Sequence, residues 1–212
     1  LAAVLAAILA LSFRASGTID RIGRAAALLP FPIPHVVAAA GGMMLLGQSG
    51  VLSRVAAALG VVNAPSQFPA LVLDRAGVGF ILTLGWKETP FLAFFAITSL
   101  ATRGAALEEV AHTLGADSWQ TLWRVVLPLL WRGMGPAVAA AAIFIAGSYE
   151  AAALLAPTDP LPLPVATYER YEAIDLATRG DAYVLVLLGL VLAALAVIAF
   201  EWGRTARDLP EP

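Results

Sequence analysis

Three charged side chains stand where their neighbours make charge expensive. Lys87 and Glu88 are the only charged residues between Ala76 and Ala101, and Glu150 is the only one between Gly133 and Ala156. A charge in the middle of a membrane-buried helix costs about 2.5–3.5 kcal/mol on insertion scales, so such residues mark transport paths or structural pairs. Neighbours on a helix point about 100° apart, which makes Lys87 and Glu88 poor partners for each other. Glu150 is then the natural acid for Lys87. Pro90 removes the hydrogen bond to the carbonyl of Trp86, leaving a kink and a polar spot beside the charges. Two readings stand side by side. Lys87, Glu88 and Glu150 line a translocation path or its gate, or they form an ion pair that fixes helix register.

Other chemistries are poorly supplied. The sequence has no cysteine, so no disulfide framework and no thiolate metal site, and its two histidines, His35 and His112, are far apart. No metal site is expected. A net charge of -2, from 13 basic and 15 acidic residues, gives no strongly basic surface for nucleic acid. Hydrophobic residues make up 60% of the chain and charged ones 13%, with a mean hydropathy of +0.83. Soluble domains carry about 25% charged residues. The solvent for this chain is lipid.

The elements that must position these groups follow from the apolar runs. Leu1–Phe13 is uncharged but only about 20 Å long as a helix, short of a ~30 Å hydrocarbon core. The sequence opens inside an apolar run, without a basic start or a small-residue cleavage site. It is therefore expected to begin within a span, with sequence upstream. Three prolines from Pro30 to Pro34 exclude regular helix there, so the next span is expected from about Pro34 to Leu46. Val51–Leu59 reads as a short interfacial helix, because Asn63, Pro65 and Pro69 would leave the backbone beyond it unsatisfied against lipid. Further spans are expected over Ala76–Ala101, Gly133–Ala156 and Ala182–Phe200, with a proline-rich loop over Pro157–Pro164 and a polar tail over 201–212.

Arginines orient the chain. With the segment 104–128 inside, the inner side holds Arg14, Arg21, Arg24, Arg103, Arg124, Arg132, Arg204 and Arg207. The outer side holds Arg54, Arg75, Arg170 and Arg179. Eight against four agrees with the positive-inside rule. The C-terminus is then cytoplasmic.

The segment Gly104–Pro128 is the one long polar, helix-forming insert between apolar blocks. Helical spacing puts Leu107, Val110, Ala111 and Leu114 on one stripe and Glu108, Glu109, His112 and Thr113 on other faces. Gly115 is a helix stop that tolerates a left-handed backbone. Asp117 or Ser118 can cap a second helix over Trp119–Leu127, which Pro128 then perturbs. The expectation is a short helix across the membrane surface, a sharp turn and a re-entry helix. Trp119, Trp123 and Trp131 suit an aromatic belt at the inner interface.

The spacing Glu109-x-Ala111, three residues, Gly115, nine residues, Val125-x-Leu127-Pro128 resembles the EAA loop of permease subunits of binding-protein-dependent ABC importers. Val110 departs from the commoner alanine and Val125 from a frequent isoleucine, both mildly. Trp86-Lys87-Glu88-Thr89-Pro90-Phe91 and Leu161-Pro162-Leu163-Pro164-Val165 are similar to segments flanking that loop in polyamine-, thiamine- and sulfate-type permeases. The resemblance covers most of the chain.

It implies an all-α integral membrane fold, the transmembrane domain of a type I ABC importer. About five spans are present and the N-terminal ones truncated, with residues 1–212 forming one permease domain. It implies a bacterial-type cytoplasmic membrane, and a coupling helix over about 104–115 that docks on a separate ABC ATPase, two per complex. The coupling residues are then Glu108, Glu109, Ala111, Leu114, Gly115, Ala116, Leu127 and Pro128. Further partners would be a second permease copy or paralogue and an extracytoplasmic binding protein. The chain has no GxxxxGK[ST] loop and its only lysine is Lys87, so it lacks the usual phosphate cradle. ATP and Mg would be handled by the partner, with no cofactor and no catalysis in this chain. The alternative is an ion-coupled secondary transporter using Lys87, Glu88 and Glu150, against which stands the lack of an internal repeat. Polyamine, thiamine, sulfate, molybdate and iron all remain open as cargo.

Overall fold

A computed structural model of the chain describes residues 1–13 and 17–208. Arg14 and residues 209–212 of the expected tail lie outside the described residues, as do the side chains of Arg204 and Arg207. Among the described residues every regular element is a helix. In order they are α1 (Ala2–Ser12), α2 (Thr18–Leu28), α3 (His35–Leu46), α4 (Val51–Ala58), α5 (Val78–Ser99), α6 (Ala105–Thr113), α7 (Ser118–Thr121), α8 (Leu127–Ala146), α9 (Tyr149–Leu155), α10 (Leu163–Glu172) and α11 (Arg179–Asp208). Four helical runs are long and apolar enough to cross a membrane: His35–Ala58, Val78–Thr113, Ser118–Ala146 and Leu176–Phe200. With the shorter apolar helix α1 they match the expected spans in number, but not in every bound: the first takes in the 51–58 segment expected as an interfacial helix, and the third ends at Ala146.

The chain divides into two compact units, Leu1–Pro34 with Leu84–Ala140, and His35–Thr83 with Ala141–Pro212. The first holds α1 and α2, most of α5, the α6–α7 turn and most of α8. Arg24 Nη1 donates to the carbonyl of Phe13 at 2.6 Å, satisfying an acceptor left over at the end of α1. The interior is filled by Leu92, Ala93 and Ala96 of α5 and by Leu130 and Met134 of α8. Small residues set close approach: a Cβ at Gly133 would overlap the Ser99 hydroxyl.

In the second unit α3 packs on α9 and α10 on α11. Ala38 and Ala39 face a layer of Ala151, Ala152 and Leu155, and Phe80, Tyr149 and Leu161 pack around Ala152, Ala156 and Val165. Phe144 holds the His35 ring at 4.6 Å. α11 buries none of its most apolar stretch within this chain.

Three elements differ from expectation. The span expected over Gly133–Ala156 runs instead from Leu127 to Ala146, breaks at Gly147–Ser148 and resumes as α9. At the break Ser148 N–H reaches back only three residues, to Ile145 O at 3.1 Å, the tight turn that ends many helices. The loop expected through Pro164 stops at Pro162, because Pro164 sits in the first turn of α10, where its missing N–H is harmless. α6 does not start afresh at Gly104. A π turn over Leu100–Gly104 joins it to α5, since nothing between Ser99 and Ala105 breaks a helix.

Candidate functional site

The α6–α7 turn is assembled almost entirely from local hydrogen bonds. Gly115 has φ +84°, the left-handed region that L side chains avoid. Around it Ala116 N–H donates to Ala111 O and Gly115 N–H to His112 O, each at 3.0 Å. This 6→1 and 5→2 pair is the Schellman arrangement, which satisfies the last carbonyls of α6. His112 Nδ1 donates to Ala116 O at 3.1 Å and adds a further tie across the turn. The next helix starts at once. Asp117 Oδ1 accepts from Gln120 N–H at 2.7 Å, and Gln120 Oε1 accepts from Asp117 N–H at 3.3 Å. Of the two expected caps it is Asp117 that acts, and the reciprocal Gln120 was not foreseen.

Among the described residues the expected apolar stripe is largely exposed. Ala111 is buried, but Leu107 and Val110 are exposed, and Leu114 is 82% exposed at the tip. Glu109 is exposed, Glu108 and Ala116 half-buried. Leu127 is half-buried and Pro128 exposed. The perturbation expected from Pro128 is a π turn over Leu122–Val126, in which Leu127 N–H bonds Leu122 O while the helix continues to Ala146. Trp119 and Trp123 meet edge to face at 5.5 Å and, with Trp131, remain exposed. The turn is therefore a rigid projection with an aliphatic tip and acidic flank.

The second cluster centres on α5. Lys87 and Glu88 are both buried, 5% and 6% exposed. Lys87 Nζ donates to the carbonyl of Phe31 at 3.4 Å. The proline-rich segment supplies that acceptor. Beyond Phe31 the chain makes only an isolated turn, Ile33 N–H to Pro30 O at 3.2 Å, instead of continuing a helix. The Phe31 ring stacks on Phe91 at 6.4 Å and 17°, and Phe91 meets Phe95 at 5.2 Å. Thr89 Oγ1 donates to Gly85 O at 2.6 Å beside Pro90, which lies inside the unbroken α5. Glu88 is likewise engaged. Residues 87–91 thus clasp the segment 30–34 by one polar and one aromatic contact, a pairing with no local signal in the sequence.

Glu150 falls elsewhere. The helix break puts it in the first turn of α9, exposed, where a carboxylate suits the positive end of the helix dipole. It belongs to the second unit, Lys87 and Glu88 to the first.

That second unit holds two hydroxyls overlooked by sequence reasoning. Thr83 and Ser148 are each 6% exposed, and among the described residues neither Thr83 Oγ1 nor Ser148 Oγ meets a hydrogen-bond partner. An unmade bond of this kind costs about 1–3 kcal/mol. Elsewhere on the same helical run Thr89, Thr98, Ser99 and Thr102 donate to the carbonyl four residues back. Thr83 does not.

The family described as binding-protein-dependent transport system inner membrane component matches residues 2–205. The sulfate transport system permease protein CysW of Synechococcus elongatus is 31% identical over 186 residues, 85% of this chain and 60% of that protein. The molybdenum transport system permease protein ModB of Mycobacterium tuberculosis is 30% identical over 200 residues, 91% of this chain and 68% of that protein. The chain thus spans about three fifths to two thirds of the length of these relatives. A bacterial alginate ABC transporter, solved in complex with its alginate-bound periplasmic protein, contains a chain of the same fold. The TM-score is 0.76 at 18% identity, over 98% of this chain and 73% of that one.

Proposed function

The chain belongs to the binding-protein-dependent transport system inner membrane components, and we propose that it is the permease subunit of an ATP-driven importer of a small oxyanion. Its all-helical fold is that of a type I importer permease, embedded by several apolar helices. A binding protein outside the membrane delivers the cargo, a separate ATPase hydrolyses ATP, and this chain catalyses nothing. The ion-coupled carrier is not favoured by the family match.

The observation that carries the reading is the α6–α7 turn. A tight glycine turn and a capping box stiffen it, while Leu107, Val110 and Leu114 are left exposed among the described residues. An aliphatic tip on a rigid stalk fits a groove on a soluble subunit and transmits displacement, which a floppy loop would absorb. Glu108, Glu109, Ala111, Gly115, Ala116, Leu127 and Pro128 shape that stalk. Two ATPases closing together would draw the turns of this chain and of a second permease inward. The bare apolar face of α11 leaves room for that second permease or for lipid. The turn and the tail lie on the cytoplasmic side, as the arginine bias requires.

Lys87 and Glu88 are structural in this reading, because Lys87 is committed to the Phe31 carbonyl. The oxyanion rests on the sulfate and molybdenum permeases among the relatives. Purifying the tagged chain from its own cells and identifying what comes with it is the test. An ABC ATPase and a binding protein loaded with sulfate or molybdate are expected. Recovery without any ATPase overturns the reading.

A further inference from the structure

The second unit carries an open groove of about 890 Å³ between the end of α8, the start of α9, α10 and α11. That volume lies within the ~300–1,000 Å³ of small-molecule sites. All four tyrosines of the chain, Tyr149, Tyr168, Tyr171 and Tyr183, line it. They meet in pairs, Tyr149 with Tyr168 at 4.6 Å between ring centroids and Tyr171 with Tyr183 at 6.4 Å. Arg179, at the start of α11, holds its guanidinium 5.4 Å above the Tyr171 ring. Farther along α11 the lining turns small and apolar at Gly189, Ala193 and Ala196, and Ala182–Phe200 contains no charged residue. Tyrosine has an apolar ring and a polar tip, so such a cluster marks the level of lipid headgroups. Tyr183 to Ala196 is about 20 Å of helix, more than one leaflet, which is half of a ~30 Å hydrocarbon core. The groove takes one face of α11 only. Val184 and Val191, on the opposite face, are 63% and 53% exposed and do not line it.

We propose that this groove is a binding site for one phospholipid with an ethanolamine headgroup, its acyl chain lying along α11 and its headgroup at the tyrosine end. Charge selects the headgroup. The segment 169–181 holds two arginines, Arg170 and Arg179, and four acids, Glu169, Glu172, Asp175 and Asp181. Arg179 is a fork of donors suited to a phosphate. The excess of acid repels a headgroup of net negative charge and accepts hydrogen bonds from a primary ammonium. A choline headgroup carries the same charges but has no N–H to donate. The convex face of α11 is coated by lipid of any kind, whereas a trough with an aromatic and charged rim holds one molecule in one pose. The site rests on the chain being embedded in a membrane and is independent of the cargo.

The test uses the complete transporter in vesicles of phosphatidylethanolamine, phosphatidylcholine and phosphatidylglycerol in equal parts, each lipid in turn carrying a photoactivatable acyl chain. Labelled positions are mapped along α11. The ethanolamine lipid should label Val186, Gly189, Leu190 and Ala193 at least fivefold more than Val184 and Val191. It should label them at least threefold more than either other lipid does. Ala193→Phe fills the trough and should cut that labelling at least fivefold, and Arg179→Gln should cut it at least threefold. Val191→Phe adds the same ring on the opposite face and should change it less than twofold. Equal labelling all round α11 overturns the inference, since lipid then merely coats the helix. Equal labelling by the three lipids overturns it as well, as does Ala193→Phe with labelling within twofold of wild type. Where Ala193→Phe lowers membrane abundance more than twofold, the wild-type pattern and the lipid comparison decide alone. The chain has no cysteine, so Leu190→Cys gives it a single thiol for a photo-cross-linker. Cross-linking from there to another permease chain means that protein fills the groove, and overturns the lipid site. The importer reading turns on the copurified ATPase and stands or falls apart from all of these outcomes.

Discussion

Ala116 N–H reaches back five residues to the carbonyl of Ala111 at 3.0 Å, and the bond exists only because Gly115 between them turns left-handed. A Cβ at Gly115 would meet nothing within 4 Å. Substitution there is therefore penalised by backbone conformation and not by a clash. Gly115→Asn should be mild, Gly115→Ala intermediate and Gly115→Val worst, the last straining the turn by about 1–3 kcal/mol. Uptake should fall in that order while membrane abundance holds. Equal uptake in Gly115→Val and wild type would remove the turn from the coupling machinery.

The cap next to that turn separates stiffness from contact. Asp117→Ala removes the acceptor for Gln120 N–H and should cost about 0.5–2 kcal/mol locally, while Asp117→Ser should retain most of it. Hydrogen exchange of residues 118–122 should rise in the alanine variant only. If transport tracks exchange, the stalk works by being stiff.

Leu114 tests contact alone. At 82% exposure it supports nothing inside the chain, so Leu114→Glu should leave folding unchanged. On an aliphatic docking tip it should abolish copurification of the ATPase. Glu109→Lys, also exposed, should weaken it and impair transport without reducing insertion. An unchanged ATPase yield with Leu114→Glu would place the docking surface elsewhere.

These three residues were legible because their geometry is local. A positive φ selects glycine, a cap follows it, and an apolar stripe has a period. The break at Gly147–Ser148 was not legible, since glycine and serine are tolerated in apolar helices and no proline or charge cluster marks the spot. Glu150 was assigned to mid-span as a consequence. The partner of Lys87 was invisible for another reason: it is a backbone carbonyl, and every residue type carries one. The continuity of α5 with α6 was read as a boundary because polarity changes at Gly104, although polarity change is no helix breaker. Thr83 looked like any threonine of a span until its i−4 bond proved absent.

The clasp between residues 87–91 and 30–34 predicts a measurable coupling. Phe31 and Phe91 stack at 6.4 Å, and such pairs contribute about 0.5–1.5 kcal/mol beyond area burial. Thermal unfolding of Phe31→Leu, Phe91→Leu and the double variant should give a coupling energy of that size. Lys87→Glu should do worse than either, because it turns a donor to the Phe31 carbonyl into an acceptor and adds a second acid beside buried Glu88. Additive single variants, with no coupling, would mean the rings only share a neighbourhood.

Gly133 offers a compensation test of how α5 meets α8. Ser99 donates its hydroxyl to Phe95 O at 2.8 Å, which pins the side chain where a Cβ on Gly133 would have to go. Gly133→Ala should therefore overpack the contact and destabilise the protein by about 1–3 kcal/mol. Ser99→Gly alone removes the obstacle and leaves Phe95 with its helical bond, so its cost should be the ordinary price of a helical glycine, up to about 1 kcal/mol. Combined, Gly133→Ala with Ser99→Gly moves the side-chain volume from one helix to the other. It should recover most of the loss caused by Gly133→Ala. Melting temperatures of the three purified variants decide it. A double variant less stable than Gly133→Ala would mean that glycine is kept at 133 for backbone freedom and not for the Ser99 contact.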